Sequence, residues 1–317
     1  MKVAIILVNW NQSKITIRCV ESLLQNTRDE STFSFQIIIV DNNSQSRSIH
    51  ILEQYLEDGQ VEHQVYLIKN SRNAGFAGGN NVGIRYALDH CQPDYIWLLN
   101  NDIIVQDQAL NKLVAAARKY PIPLVWGSTI FEVFPELHFH CAGGFSYNPL
   151  FSIPRPISFS QDRRFPTGLF HPLPQMDYPA GASMFIRADT FREYGMMNEI
   201  YFLYYEELDF VYQIGGKSHL AWCPDSVLHH QSGKSTGSKN PNKGKGSWVG
   251  HYYGNLSALK FTWIHHPLYF PVVFFFRLFT KSFIFIKNRD FRSFQPLSQA
   301  YRDFFRWLFF SESPYSQ

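Results

Sequence analysis

The chain has 317 residues, 45% of them apolar and 17% charged. That is enough to bury one large domain or two smaller ones, and it excludes global disorder. The formal net charge of +3 is small, but no Asp or Glu lies between Asp225 and Asp290, where Lys234, Lys239, Lys243, Lys245, Lys260, Arg277, Lys281, Lys287 and Arg289 all fall. Such one-sided charge implies an anionic partner: phosphates, anionic lipid or nucleic acid. Cys19, Cys91, Cys141 and Cys223 are scattered without CxxC spacing, which argues against a structural zinc site and a disulfide scaffold.

The opening "MKVAIILVNWNQS" lacks the small-residue cleavage site of a signal peptide and reads as the first core strand of a cytoplasmic protein. "VAIILV" (3–8), "QIIIV" (36–40), "VYLI" (65–68) and "YIWLL" (95–99) are short apolar runs without polar alternation, as in strands buried on both faces. Between them lie the helical patterns "SKITIRCVESLLQN", "SRSIHILEQYLED" and "GGNNVGIRYALDH". Ser13 is expected to cap the first, with Ile17, Val20 and Leu24 along one side. This alternation predicts right-handed crossovers and a mostly parallel sheet, whose ligands bind beyond the carboxyl ends of the strands. Each of the four strands runs into polar residues there, the fourth into Asn100, Asn101 and Asp102.

Residues 121–180 are rich in Pro, Phe and Gly, and their elements are not readable from periodicity. "AGASMFIRADTFREYG" predicts a strand and a short helix, and "NEIYFLYYEELDFVYQIGG" adds an acidic cluster. "GKSTGSKNPNKGKGS" (233–247) reads as a loop. From Tyr252 the chain is strongly apolar, interrupted by Arg277 and Lys281. The unbroken run Leu268–Phe276 is far shorter than the ~20 residues that span a bilayer, so an interfacial helix or a buried core helix is expected there.

In order, "VNWN", "VDNNS", "RNAGFAGGNNVGI", "LLNND", "GASMFIRADTF" and "YFLYYEELDF" followed by "HHQSGKSTG" resemble inverting family-2 glycosyltransferases, in particular their rhamnosyltransferase-like branch. The resemblance covers residues 3 to about 260. It implies a GT-A fold: an α/β catalytic domain (1–250) with a Rossmann-like central sheet flanked by helices. About 1–120 would form the nucleotide-sugar-binding half and about 121–250 the acceptor-binding half. A C-terminal amphipathic helical extension (251–317) would associate with the membrane.

The same resemblance implies site residues. Asp41 would accept the pyrimidine ring N–H, or in a plainer role cap a turn. Val8, Asn9 and Asn43 would complete the base pocket, and Arg72, Asn73, Gly75, Asn81 and Asn101 would contact the nucleotide. Gly75, Gly78 and Gly79 do not follow the GxGxxG spacing of a dinucleotide fingerprint. Asp102 stands as the single carboxylate of a metal motif often written Asp-x-Asp, to be joined by His230, with adjacent His229 as the alternative. Mg²⁺ or Mn²⁺ suits such oxygen-rich ligands. Glu207 would be the general base, and Glu206, about 100° around the helix, must do something else. Glu206, Asp209, Gly181 and Ala182 would support or line the acceptor site, and Lys234 would reach the phosphates from a closing loop.

The implied reaction moves a sugar from a nucleotide-diphosphate donor, dTDP-rhamnose or a UDP-sugar, to a lipid-linked glycan, with the protein peripheral on the inner face of the cell membrane. A non-catalytic nucleotide- or glycan-binding tether is the alternative. Nucleic acid is not an expected partner, since no nucleic-acid module is recognisable.

Overall fold

The computed structural model describes residues 1–27, 33–59, 64–159, 166–231 and 247–310. The expected phosphate loop at Lys234 lies outside them. Strands β1 (Lys2–Asn9), β2 (Ser34–Asp41), β3 (Val65–Lys69) and β4 (Tyr95–Asn100) alternate with helices α1 (Ser13–Asn26), α2 (Ser46–Asp58) and α3 (Gly75–Tyr86). Side chains alternate across a strand, so β1 feeds two cores. Val3, Ile5 and Leu7 pack with Cys19, Val20 and Leu23 of α1. Ala4 and Ile6 pack on the other face with Ala77 and Ile84 of α3. Both faces are covered, which is why these strands carry no polar alternation. The first helix starts differently from expectation. Gln12 occupies the cap position, and the Ser13 hydroxyl instead donates to the Ser48 carbonyl at 2.6 Å, tying α1 to α2.

Beyond β4 follow β5 (Ile103–Val105), α4 (Ala109–Lys119), β6 (Val125–Glu132), β7 (His138–Ala142), β8 (Gly144–Asn148), β9 (Ile153–Pro156), β10 (Tyr178–Pro179), β11 (Ser183–Arg187), α5 (Ala188–Tyr194), α6 (Glu206–Gln213) and β12 (Leu220–His230). The central sheet runs β3-β2-β1-β4-β11-β6-β12-β5, with β7 on the side of β6. From β3 to β4 it is parallel; β11 enters antiparallel between β4 and β6, and β12 runs parallel to β6. A small second sheet, β10-β8-β9, comes from the stretch whose elements periodicity left unplaced.

Helices α7 (Trp248–His265), α8 (Phe270–Lys287) and α9 (Phe294–Phe310) close the chain. The α7 helix is rooted in the second half of the domain. Lys260 Nζ donates to the Ile200 carbonyl at 3.0 Å, the Ser257 hydroxyl to the Leu203 carbonyl at 2.9 Å, and Phe261 packs with Tyr147, Tyr201 and Leu208. Its other side meets α9 through Leu256, Leu259, Leu297 and Phe304. By contrast, only 11% of the apolar stretch Pro267–Lys287 is buried. This removes the reading of a buried core helix. Leu268, Val272, Phe275, Phe279, Phe283 and Ile286 point outward.

Candidate active site

The parallel strands deliver their carboxyl ends to one edge, in register: Asn9 stands opposite Asp41, and Val8 opposite Asn100. A chain of hydrogen bonds runs along this edge. Asn9 Nδ2 donates to Asp41 Oδ1 at 2.6 Å, the Thr16 hydroxyl to Asn9 Oδ1 at 2.8 Å, and Asn101 Nδ2 to the Thr16 hydroxyl at 2.9 Å. Asp41 is thereby fixed relative to the Asn101–Asp102 tip. Its second oxygen accepts from the Ser44 backbone N–H at 2.9 Å, so the turn-capping role is realised. Each carboxylate oxygen has two lone pairs, and these bonds occupy one apiece. Thr16, which links these parts from the first turn of α1, carries no sequence signal of its own, whereas Ser44 closes the "VDNNS" stretch.

Asp102 and His230 meet across the sheet, Oδ1 to Nε2 at 3.1 Å. The position of β12 beside β5 and β6 explains the choice between the two histidines. Neighbouring residues of a strand face opposite ways, so His230 turns to Asp102 while His229 packs edge-on against Phe131. The other ring nitrogen of His230 lies 2.9 Å from Glu132 Oε1. Burial opposes a charge on His230, but the bonds to Asp102 and Glu132 outweigh it and hold the imidazolium up to about 10.

Among the described residues no group of three or more His, Cys, Asp and Glu side chains converges as a metal cage. The Asp102–His230 pair fits a divalent ion that draws its remaining ligands from a diphosphate, because such ions often use only one or two protein carboxylates. The fit holds on the condition that the ion displaces the His230 Nε2 proton that now bridges to Asp102. A carboxylate behind a ligating histidine fixes the ring and its tautomer, the position Glu132 holds. Glu132→Gln is therefore expected to weaken Mn²⁺ affinity about 10–100-fold in a titration with UDP present. Unchanged affinity would leave Glu132 no such role. Glu132 ends "VWGSTIFE", inside the stretch the sequence does not resolve, and only the β6–β12 register reveals it.

Glu207 lies in the first turn of α6, entered through Tyr204 (φ 68) and Tyr205 (φ 73) in the left-handed region. A helix N-terminus favours acids. Its carboxylate rests against Gly181: a Cβ there would lie 2.7 Å from Glu207 Oε1. The next residue, Ala182, accepts a hydrogen bond from the Asn100 N–H at 3.0 Å. The base candidate is thus in contact with the loop that touches the end of β4. Oε2 of Glu207 and Oε2 of Glu206 are both buried without a partner. Burial raises Glu207 to about 7, and burial together with the Glu207 charge raises Glu206 well above the usual range. Asp209, expected to support or line the acceptor site, accepts from His265 Nε2 at 2.6 Å and from the Tyr201 hydroxyl at 3.1 Å, joining α6 to α7.

Two cavities flank this edge. One of about 350 Å³ lies beyond β1 and β2, with Gln12, Lys14, Gln45 and Arg47 in its wall. The other, about 510 Å³, has Glu207, Tyr178 and Tyr204 on one side and Arg277 and Lys281 of α8 on the other.

Some expected nucleotide contacts sit elsewhere. The space a side chain would take at Gly75 and Gly79 is filled by protein. Phe202 covers Gly75, whose φ is +73. A Cβ on Gly79 would lie 2.8 Å from Val8 Cγ1 and from Asn42 Nδ2, so α3 lies flat on β1. The Asn81 amide bonds the Met197 carbonyl and Glu199, at 2.8 and 2.9 Å. Asn73 Oδ1 accepts from the Gly75 N–H at 3.0 Å. Arg72 and Asn43 are exposed, and Val8 is half-buried.

Residues 4–192 match the family model "Glycosyl transferase family 2". The chain is 26% identical over 214 residues to the low-salt glycan biosynthesis hexosyltransferase Agl10 of Haloferax volcanii, covering 66% of this chain and 60% of that relative. Its fold is similar to that of GalNAc-T7 solved with UDP, GalNAc and Mn²⁺, with a TM-score of 0.59 and 16% identity, covering 81% of this chain and 49% of that one. It is also similar to the mannosyltransferase PcManGT of Pyrobaculum calidifontis with GDP-Man and Mn²⁺, with a TM-score of 0.53 and 11% identity, covering 95% and 74% of the two chains. The chain therefore spans less than two thirds of Agl10 and about half of GalNAc-T7. The architecture is the GT-A fold, and with the family model extending from β1 through β11 into α5, this chain belongs to glycosyl transferase family 2.

Proposed function

We propose that the chain is a metal-assisted, inverting glycosyltransferase that moves a hexose from a nucleotide-diphosphate donor to a hydroxyl of a lipid-linked glycan at the cytoplasmic face of the membrane. The observation that carries this reading is the continuity of one edge. Asp41, Asn9, Thr16 and Asn101 are hydrogen-bonded in series, Asp102 meets His230, and Glu207 lies against the loop bonded to Asn100. The complexes of GalNAc-T7 and PcManGT with nucleotide or nucleotide sugar and Mn²⁺ support a donor of this class.

Asp102 and His230 are the residues that would hold Mg²⁺ or Mn²⁺. Such an ion, when bound, neutralises the charge that develops on the departing diphosphate. Asp41 would accept the ring N–H of uracil or thymine, which makes dTDP-rhamnose and UDP-hexoses the donors to try first. Glu207, ionised, would take the acceptor proton as its oxygen attacks opposite the leaving phosphate, a single displacement that inverts the anomeric centre. A non-catalytic tether gives no account of a buried, unpartnered carboxylate beside an open cavity.

Membrane attachment has its own support. The outward face of α8 is apolar over several turns, and exposed Lys287, Arg289 and Arg292 lie where the helix ends, a pattern suited to an anionic interface. The test of the whole reading is thermal unfolding with Mn²⁺ against a panel of dTDP-, UDP- and GDP-sugars. A ligand that binds only the folded state raises the melting temperature. One donor class should do so, and less with EDTA; no shift with any of them would refute the reading.

A further inference from the structure

The larger cavity contains a charge arrangement that sugar hydroxyls alone do not explain. Arg277 donates to the carbonyls of Ser152 and Gly254 and to Asn255 Oδ1, at 3.0, 2.6 and 3.2 Å. All three partners are neutral. Lys281, one helical turn on, lines the same cavity. Among the described residues neither side chain forms an ion pair with a carboxylate. Burial, and next the charge of Arg277, pull the Lys281 ammonium below its ordinary range. Two like charges held half-buried side by side cost stability unless an anion joins them.

Their placement on α8 sharpens the point. An interfacial helix turns its apolar face into the lipid and lets its cations reach water or headgroups. Here Arg277 and Lys281 turn inward to the cavity, while Phe275, Phe279 and Phe283 face out. The cavity therefore has Glu207 at one wall and, at the other, two cations on a helix whose outer surface suits lipid. It is open to an anion that arrives attached to an apolar tail.

We propose that Arg277 and Lys281 form a subsite for the phosphate of a lipid-linked acceptor, whose sugar end then extends toward Glu207. Arg277, with its guanidinium fixed by three acceptors, is the rigid part of the clamp, and Lys281 is the mobile point charge. The inference rests on the transferase reading for the role of Glu207, but the binding itself does not require turnover.

The experiment measures binding to the full chain in EDTA with three probes: farnesyl phosphate, farnesol and inorganic phosphate. A charge-assisted contact should make farnesyl phosphate bind about tenfold or more tighter than either of the others. Added UDP should not displace it. Lys281→Gln should reduce its affinity several-fold toward that of farnesol, with Arg277 retaining the rest, and Lys281→Arg should keep it near wild type. Equal binding of farnesyl phosphate and farnesol, displacement by UDP, or full affinity in Lys281→Gln would overturn the subsite. Inorganic phosphate binding as tightly as farnesyl phosphate would overturn the lipid assignment. The wild-type comparison decides even if Lys281→Gln does not fold. A chain that prefers farnesyl phosphate yet binds no nucleotide sugar would keep the subsite and refute the transferase reading; the reverse result would refute the subsite alone.

Discussion

Glu207→Gln should lower sugar transfer about 10²–10⁴-fold, the range a positioned general base contributes, and leave donor binding intact. The geometry explains the second half of that result: the carboxylate lies against Gly181 and lines the larger cavity, whereas Asp41, the candidate base contact, is hydrogen-bonded to Asn9 and Ser44 and not to Glu207. The pH profile gives a sharper signature. Burial raises Glu207 to about 7, so the ionised form that can accept a proton grows in as pH rises through neutrality. The wild-type kcat/KM should therefore climb from pH 6 to pH 8, and the residual activity of the Gln variant should lack that limb.

Stability should move the opposite way. A group whose folded value lies above its unfolded value contributes stability that is fully present below the unfolded value and lost as pH rises through the folded one. Wild-type protein should thus lose melting temperature from about pH 4.5 up to about pH 7, and Glu207→Gln should lose less. A Gln variant with normal turnover, or a flat wild-type profile, would remove Glu207 from the role.

Asp102→Asn should have an effect of similar size for a different reason. It removes the single carboxylate of the candidate metal pair and leaves His230 bonded to Glu132. Lewis-acid stabilisation of a leaving phosphate amounts to several kcal/mol, and each 1.36 kcal/mol is tenfold, so a loss of about 10²–10³-fold in kcat/KM is expected. The distinguishing readout is binding. In wild type, Mn²⁺ should tighten UDP affinity; in Asp102→Asn that tightening should vanish while metal-free UDP affinity stays near its wild-type level. Turnover that persists in EDTA would show that the diphosphate leaves without a metal.

Much of this site was legible because its residues follow strands whose apolar runs are unmistakable. Asp41 and Asp102 each close such a run, and β1, β2 and β4 are adjacent in the sheet, so reading the strands already placed both acids on one edge. Glu207 and His230 came from family resemblance, and the structure supplies why His230 and not His229 faces Asp102: strand alternation beside β5. The stretch 121–180 resisted because β7 to β10 have only two to five residues each, too short for periodicity to register. Glu132 was invisible for another reason: it closes the eight-residue β6, and only the pairing of β6 with β12 sets it beside His230. The glycines after β3 have a packing role that their spacing does not announce. A Gly-rich turn before a helix suits a phosphate, yet here Phe202, Val8 and Asn42 occupy the space a side chain would take. The inward turn of Arg277 and Lys281 could not be inferred from spacing, since it depends on α8 packing over Ser152 and Gly254.

The most direct test of the central claim is an anomalous-scattering map from crystals grown with UDP and Mn²⁺. The account predicts a manganese peak touching Asp102 and His230 and the diphosphate together, with the uracil ring against Asp41. A manganese ion bound to the diphosphate but to neither Asp102 nor His230, or a nucleotide bound away from the β1–β4 edge, would contradict it.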